Sequence, residues 1–166
     1  PLTGSVLELT TIRFIGTEGD DTIRGNKGAD DLKGREGDDL LLGMGGDDAL
    51  HGGKGSDDLR GQGGNDKLVG GDGRDTMNGG AGNDKMWGGN SADTFVFSNF
   101  VDGVKDTDTI KDYSLAGGDR IDLQLGADTI AREIFLNGIW RLELKGDGDI
   151  IVLRDVADAN SNGHII

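Results

Sequence analysis

A nine-residue phrase recurs nine times without a slip between residues 16 and 96, and a fixed short period of this kind dictates a repeat architecture. The units begin at Gly16, Gly25, Gly34, Gly43, Gly52, Gly61, Gly70, Gly79 and Gly88. The fourth place is Gly19, Gly28, Gly37, Gly46, Gly55, Gly64, Gly73 and Gly82, with Ser91 in the last unit. The sixth is always aspartate: Asp21, Asp30, Asp39, Asp48, Asp57, Asp66, Asp75, Asp84 and Asp93. The eighth is always apolar, running Ile23, Leu32, Leu41, Leu50, Leu59, Leu68, Met77, Met86 and Phe95.

Two alternatives are excluded first. Place seven is never glycine and the chain holds a single proline, so the glycines do not build a collagen helix. A formal charge of −14 with 34% hydrophobic residues is a disorder-like composition, a warning that applies to the chain stripped of ligands. With no cysteine, neither a disulfide nor a thiolate metal site can hold the fold. No apolar run reaches membrane-spanning length, and the N-terminus lacks the basic-then-apolar order of a signal peptide. The acidic balance argues against nucleic acid and favours a multivalent cation as partner. A chain opening on Pro1 is expected to be part of a longer protein.

Within each unit the first six places read as turn and the last three as a short strand. Glycine at places one and four suits backbone conformations closed to residues with a Cβ. Alternation sends place eight to one side of the strand and its neighbours to the other. Two units running in opposite directions make one eighteen-residue coil, so odd and even units stack as two separate parallel sheets. The expected fold is all-β, a thin roll of four and a half coils. Its interior is one aliphatic side chain per strand, a meagre core for so many ordered residues.

Stacking also places the aspartates. Asp21, Asp39, Asp57, Asp75 and Asp93 form one column, and Asp30, Asp48, Asp66 and Asp84 the other. Carboxylates about 5 Å apart repel by roughly 1 kcal/mol even in water, and a hard divalent cation between turns reverses that sign. Calcium accepts six to eight oxygens in flexible geometry, whereas magnesium prefers a tight octahedron rich in water. Four adjacent pairs in one column and three in the other predict about seven Ca2+ ions. Local turn capping, which aspartates do readily, does not account for nine in register.

The repeats resemble the RTX (repeats-in-toxin) family. That resemblance implies a right-handed parallel β-roll whose metal ligands are the sixth-place aspartates of two stacked turns and carbonyls of the glycine-rich places. Carried over residue by residue, the carbonyl donors are Gly16, Gly19, Gly25, Gly28, Gly34, Gly37, Gly43, Gly46, Gly52, Gly55, Gly61, Gly64, Gly70, Gly73, Gly79, Gly82 and Gly88. Place two is non-glycine in the first four units and the sixth, a departure expected to weaken sites near the N-terminal end. The resemblance further implies a non-enzymatic module on a secreted protein of a Gram-negative bacterium. Such a module uses the type I secretion machinery, folds outside the cell where calcium is plentiful and stabilises a passenger domain upstream.

Residues 1–15 read as an N-terminal strand cap, 16–96 as the roll and 97–166 as a β-rich capping region. In the last, Thr94 to Phe97, Thr107 to Tyr113, Arg120 to Leu125, Ile139 to Leu144 and Ile150 to Val156 carry strand patterns. Gly117-Gly118, Asn137-Gly138 and Gly146-Asp147-Gly148 punctuate them as turns. This part is similar to the antiparallel β-sandwich-like region after the repeats in secreted metalloproteases and to alginate epimerase R-modules. In that comparison Asp108 and Asp112 flank the last coil and complete a terminal calcium site. Asp158, Asn160, Asn162, Gly163 and Ile165 match the opening of an EF-type loop, but the chain stops short of its closing glutamate. His51 and His164 have no partner constellation for a triad or a zinc site. Outward places on the even sheet line up Lys33, His51, Lys67, Lys85 and Trp87, a basic stripe that suits an acidic polysaccharide; the bland reading is a solvated face.

Overall fold

The nine-residue period becomes strand pairing at a separation of eighteen: Leu32 lies beside Leu50, Leu41 beside Leu59 and Leu50 beside Leu68, all parallel. These pairings come from a computed structural model that describes residues 11–98, 106–124, 130–136, 139–144 and 150–153. Strands β1 (Arg13–Ile15) and β2 (Thr22–Arg24) are three residues long. Then follow β3 (Asp31–Glu36), β4 (Leu40–Gly45), β5 (Ala49–Lys54), β6 (Asp58–Gly63), β7 (Lys67–Asp72), β8 (Thr76–Ala81) and β9 (Lys85–Asn90). Past the repeats come β10 (Thr94–Phe97), β11 (Thr107–Ile110), β12 (Arg120–Leu123), β13 (Ile130–Leu136), β14 (Ile139–Leu144) and β15 (Ile150–Leu153). One sheet takes the order β1-β3-β5-β7-β9-β11-β15-β14-β13 and the other β12-β10-β8-β6-β4-β2.

The strands inside the roll are six residues long, twice the expected three, and the difference has a local cause. Pairing runs over places seven to nine, skips place one of the next unit and resumes at places two and three, as in Lys33 beside His51 followed by Arg35 beside Gly53. Place two is where the chain bends, with φ of 98° at Arg35, 87° at Met44 and 78° at Gln62, and glycine at the other interior units. Place four is left-handed too, from Gly37 at 112° to Gly82 at 117°. Place one is glycine for a different reason than conformational freedom: a Cβ on Gly16 would stand 2.6 Å from Asp21 Oδ2 and 2.5 Å from Gly34 O. Lack of room, not dihedral angle, excludes a side chain there.

All nine place-eight residues are buried, in one cluster that continues through Phe97, Ile110, Tyr113, Ile151 and Leu153. The roll therefore does not stop at the last repeat. Strand β11 pairs parallel with β9, β12 with β10 and β15 with β11, each extending a sheet of the roll. Antiparallel pairing enters only with β14 against β15 and β13 against β14. Strand β13 was not anticipated. The end of the roll is filled by larger groups: the Phe95 and Tyr113 rings meet at 6.2 Å, and Tyr113 donates its hydroxyl to Asp119 O. The turns around Asn137-Gly138 and Gly146-Asp147-Gly148, the EF-like tail and His164 lie outside the described residues. Among the described residues no helix is long and apolar enough to cross a membrane.

Ser91 is the one place-four residue in the interior units that is not glycine, and it keeps φ at 87°. A left-handed residue with a Cβ costs roughly 1–2 kcal/mol. Ser91→Gly is therefore expected to raise the thermal midpoint of the folded chain by about 2–4 °C. Gly46→Ala, whose Cβ would come 2.6 Å from Gly28 C, is expected to lower it; differential scanning calorimetry reads both.

Candidate metal centre

The turns bring the place-six aspartates into two columns, and each carboxylate has two distinct oxygens. Oδ1 accepts the backbone N–H of the aspartate one coil earlier. In the odd column Asp21 N–H donates to Asp39, Asp39 to Asp57, Asp57 to Asp75 and Asp75 to Asp93, at 2.8–3.0 Å. In the even column Asp30 donates to Asp48, Asp48 to Asp66 and Asp66 to Asp84, at 2.7–2.8 Å. Oδ1 is thus an element of the scaffold, locking successive turns one strand spacing apart.

Oδ2 behaves differently along the chain. In the first two units it is satisfied locally, by Thr17 N–H on Asp21 and Asn26 N–H on Asp30. From the third unit onward Oδ2 of Asp39, Asp48, Asp57, Asp66, Asp75, Asp84 and Asp93 is buried with no hydrogen-bond partner. The change coincides unit by unit with left-handed φ at place two, from Arg35 to Gly89. A left-handed residue at place two turns its N–H away and leaves the carboxylate oxygen bare. Each of these oxygens lies against the place-one glycine of its own unit, in a space that a Cβ at Gly34, Gly43, Gly52, Gly61, Gly70, Gly79 or Gly88 would fill.

A buried, charged and unpartnered oxygen is strongly unfavourable, and seven of them in two files define a site for hard cations. The donor set fits calcium: carboxylate oxygens in columns, with glycine backbone close enough to supply carbonyls. Among the described residues no three histidine, cysteine or acidic side chains converge on one point. Gly16 and Gly25 flank the two satisfied carboxylates, and Gly19 faces open space.

The columns extend past the repeats. Asp84 N–H donates to Asp108 Oδ1 and Asp93 N–H to Asp119 Oδ1, both at 2.9 Å. Asp112 stands outside the columns, its two oxygens accepting N–H groups of Gly88 and Gly89. Asp119 was missed from sequence because its spacing from Asp93 is 26 rather than 18. The signal was present in the triplet Asp119-Arg120-Ile121, an aspartate two places before an inward apolar residue like Asp93-Thr94-Phe95. A second ladder runs at place five. Asn65 N–H donates to Asp47 Oδ1, Asn83 N–H to Asn65 Oδ1 and Thr107 N–H to Asn83 Oδ1 on the even side. On the odd side Asp38 N–H donates to Asp20 Oδ1 and Ser56 N–H to Asp38 Oδ1.

The basic stripe is assembled on the outer face of the even sheet. Lys67 stands beside Lys85 and Val69 beside Trp87. Lys67 Nζ lies 5.3 Å from the centre of the Trp87 ring, and Lys111 Nζ, a residue the stripe did not include, lies 6.0 Å away. Burial and the charges of Lys67 and Lys33 push the His51 imidazole below its usual range.

The fold and its columns define a calcium-binding parallel β-roll. The model of the RTX calcium-binding nonapeptide repeat (4 copies) matches in overlapping stretches from residue 13 to residue 104, more than half of the chain. The chain belongs to that family. Its fold resembles the solution structure of the AlgE6R3 subunit of the Azotobacter vinelandii mannuronan C5-epimerase, at 25% identity and TM-score 0.51 over 92% of this chain and 88% of that one. A weaker likeness, at 17% identity and TM-score 0.33, links it to the extracellular lipase LipA of Serratia marcescens, covering 93% of this chain and 38% of the lipase. A search of curated proteins gives no significant match.

Burial sets the protonation of the columns. It pushes the carboxyls of Asp48, Asp66 and Asp93 up to about 7 and those of Asp57, Asp75 and Asp84 up to about 6, against the opposing effect of the N–H each accepts. An unfolded aspartate titrates near 3.9, so the metal-free fold binds more protons than the unfolded chain between about pH 4 and 7. Its stability is then greatest below that window and is lost as pH rises through 6 to 7. In calcium-stripped buffer the β signal of far-UV circular dichroism is expected to be stronger at pH 5 than at pH 7.5. With calcium present the trend reverses, because protons compete for the same oxygens, and the calcium midpoint should rise as pH falls.

Proposed function

We propose that this chain is a calcium-triggered folding module that stabilises a larger exported protein. The observation that carries the reading is the set of seven buried Oδ2 atoms without a partner. Calcium, when bound, supplies the positive charge and oxygen coordination that these carboxylates lack. The proposed ligands are the column aspartates from Asp21 to Asp93 with carbonyls of the place-one and place-four glycines, and Asp108 and Asp119 where the columns run on. Asp112 acts beside them by holding the last turn. About seven ions follow from the seven bare oxygens, one for each. On the same reading residues 16–96 are the repeat part of the metal-loaded roll, 1–15 cover one end, and 97–166 continue the roll through β11, β12 and β15 and close the other, with no catalysis of their own.

A metal-free roll must bury repelling carboxylates around a core of one aliphatic side chain per strand, so folding waits for the ion. Ligand bound only by the folded state stabilises it in proportion to its free concentration, and several sites add. That arrangement suits a protein exported unfolded by a type I route from a Gram-negative cell and folded outside, with the passenger domain upstream. Circular dichroism in chelator at pH 7.5 should show mostly coil, turning β-rich and cooperative with calcium but not with equal magnesium. Equilibrium dialysis should count about seven ions, the number of bare carboxylate oxygens. A folded spectrum in chelator at pH 7.5 would overturn the trigger.

A second reading is favoured by the two lysines over Trp87: a calcium-dependent surface for an acidic polysaccharide, with Lys33, Lys67 and Lys85 beside the ring. Calorimetry with alginate oligomers tests it. A Lys67/Lys85 double charge reversal should abolish the heat, and heat left unchanged by that variant removes the reading.

A further inference from the structure

We infer that the rim of the odd sheet carries an oxyanion-binding hollow built on Arg74 and Arg120. The hollow measures about 270 Å³ and is walled by these two arginines, by Thr76 and Thr94, and by Ala92 and Gly118. Thr94 pairs with Thr76 on one side and with Arg120 on the other, so the two hydroxyl-bearing residues and one arginine come from three consecutive layers of one sheet. Arg74 reaches the same space from a turn.

The place-five ladder explains why this turn is unlike its neighbours. On the odd side that ladder runs through Asp20, Asp38 and Ser56, and its next two members are Arg74 and Ala92. Arginine has no acceptor to continue the ladder, and alanine above it leaves room for a guanidinium and a guest. On the even side the same place continues to Thr107 without a break. The substitution therefore gives up the turn-to-turn hydrogen bond at the corner where the hollow lies; before Arg74 only Ala29, in the second unit, lacks an acceptor at this place.

Charge points to the guest. The chain has 31 acidic residues against 17 lysines and arginines, and among the described residues Arg74 and Arg120 make no salt bridge, like Arg24, Lys27, Arg35, Lys67, Lys85 and Lys111 and unlike Arg13, Lys33, Lys54 and Arg60; what sets these two apart is that they line one concavity. Two guanidiniums at one concavity offer forked donors for a carboxylate, sulfate or phosphate group, and the threonine hydroxyls offer partners to atoms beside it. The size lies just below that of pockets for drug-sized ligands, so the guest is a small acid or a single acidic unit of something larger. This inference rests on the calcium reading at one point: Asp75 also lines the hollow, and its charge is offset only when a cation is held.

Calorimetric titration of the calcium-loaded chain with sodium sulfate, methyl phosphate and sodium glucuronate tests the hollow. One oxyanion per chain is expected, with a dissociation constant in the millimolar range; Arg74→Gln and Arg120→Gln should each weaken it about tenfold. Ala92→Leu, which fills the hollow and removes no charge, should weaken it as well. Preference for glucuronate marks an acidic sugar as the source of the group, and preference for sulfate or methyl phosphate marks a free or esterified inorganic anion. No saturable heat with any of the three, or equal affinity in the double arginine variant, overturns the inference. Calcium uptake measured on the same samples separates the two questions: loss of anion binding with calcium uptake intact is the expected result for the arginine variants. A wild-type chain that takes up no calcium would sink the reading of the columns, while its own anion titration still decides the hollow.

Discussion

One carboxylate with two unequal oxygens governs this molecule. From Asp30 onward, Oδ1 of the place-six aspartates accepts the N–H of the turn one coil earlier, which spaces the turns and lets the sheets form. Oδ2 of the same residue is left inside without a donor from the third unit onward. The interaction that builds the stack therefore creates the need for a cation in it. Scaffold and proposed site are the same side chain, and neither can be altered without the other.

The glycines follow from that carboxylate. Place one must be glycine because the aspartate lies where its Cβ would be. Place four bends left-handed from the third unit onward, and only Ser91 does so with a side chain. Place two bends as well, yet tolerates Arg35, Met44 and Gln62, whose side chains have solvent to point into. Glycine-rich composition here reflects three separate demands: room, handedness and a reversible local cost.

Most of the architecture was legible from sequence. The eight-place residues, the two columns and the split into odd and even sheets depend on a period that repeats without interruption, and each inward side chain from Ile23 to Phe95 is buried as that period requires. Strand length was less legible, because place one looks like a turn residue when read alone and is in fact a gap in a longer pairing. The continuation of the columns into Asp108 and Asp119 was half visible. Its triplet of aspartate, spacer and apolar residue survives, but the loops between triplets lengthen from six residues, and a search at fixed spacing stops at Asp93.

What the sequence alone determined is the repeat, and with it the stacking, the core and the alignment of nine acids, since a strict period leaves one way to put like beside like. What only the tertiary structure decided is which oxygen of each acid is used up and which stays bare. The answer depends on the φ of a residue four places earlier and on the turn stacked above. It decided likewise that Arg74 and Arg120, far apart in the chain, share one hollow. Period carries to any distance along a chain, whereas hydrogen-bond partners and neighbouring side chains are settled only when the coils are laid on one another.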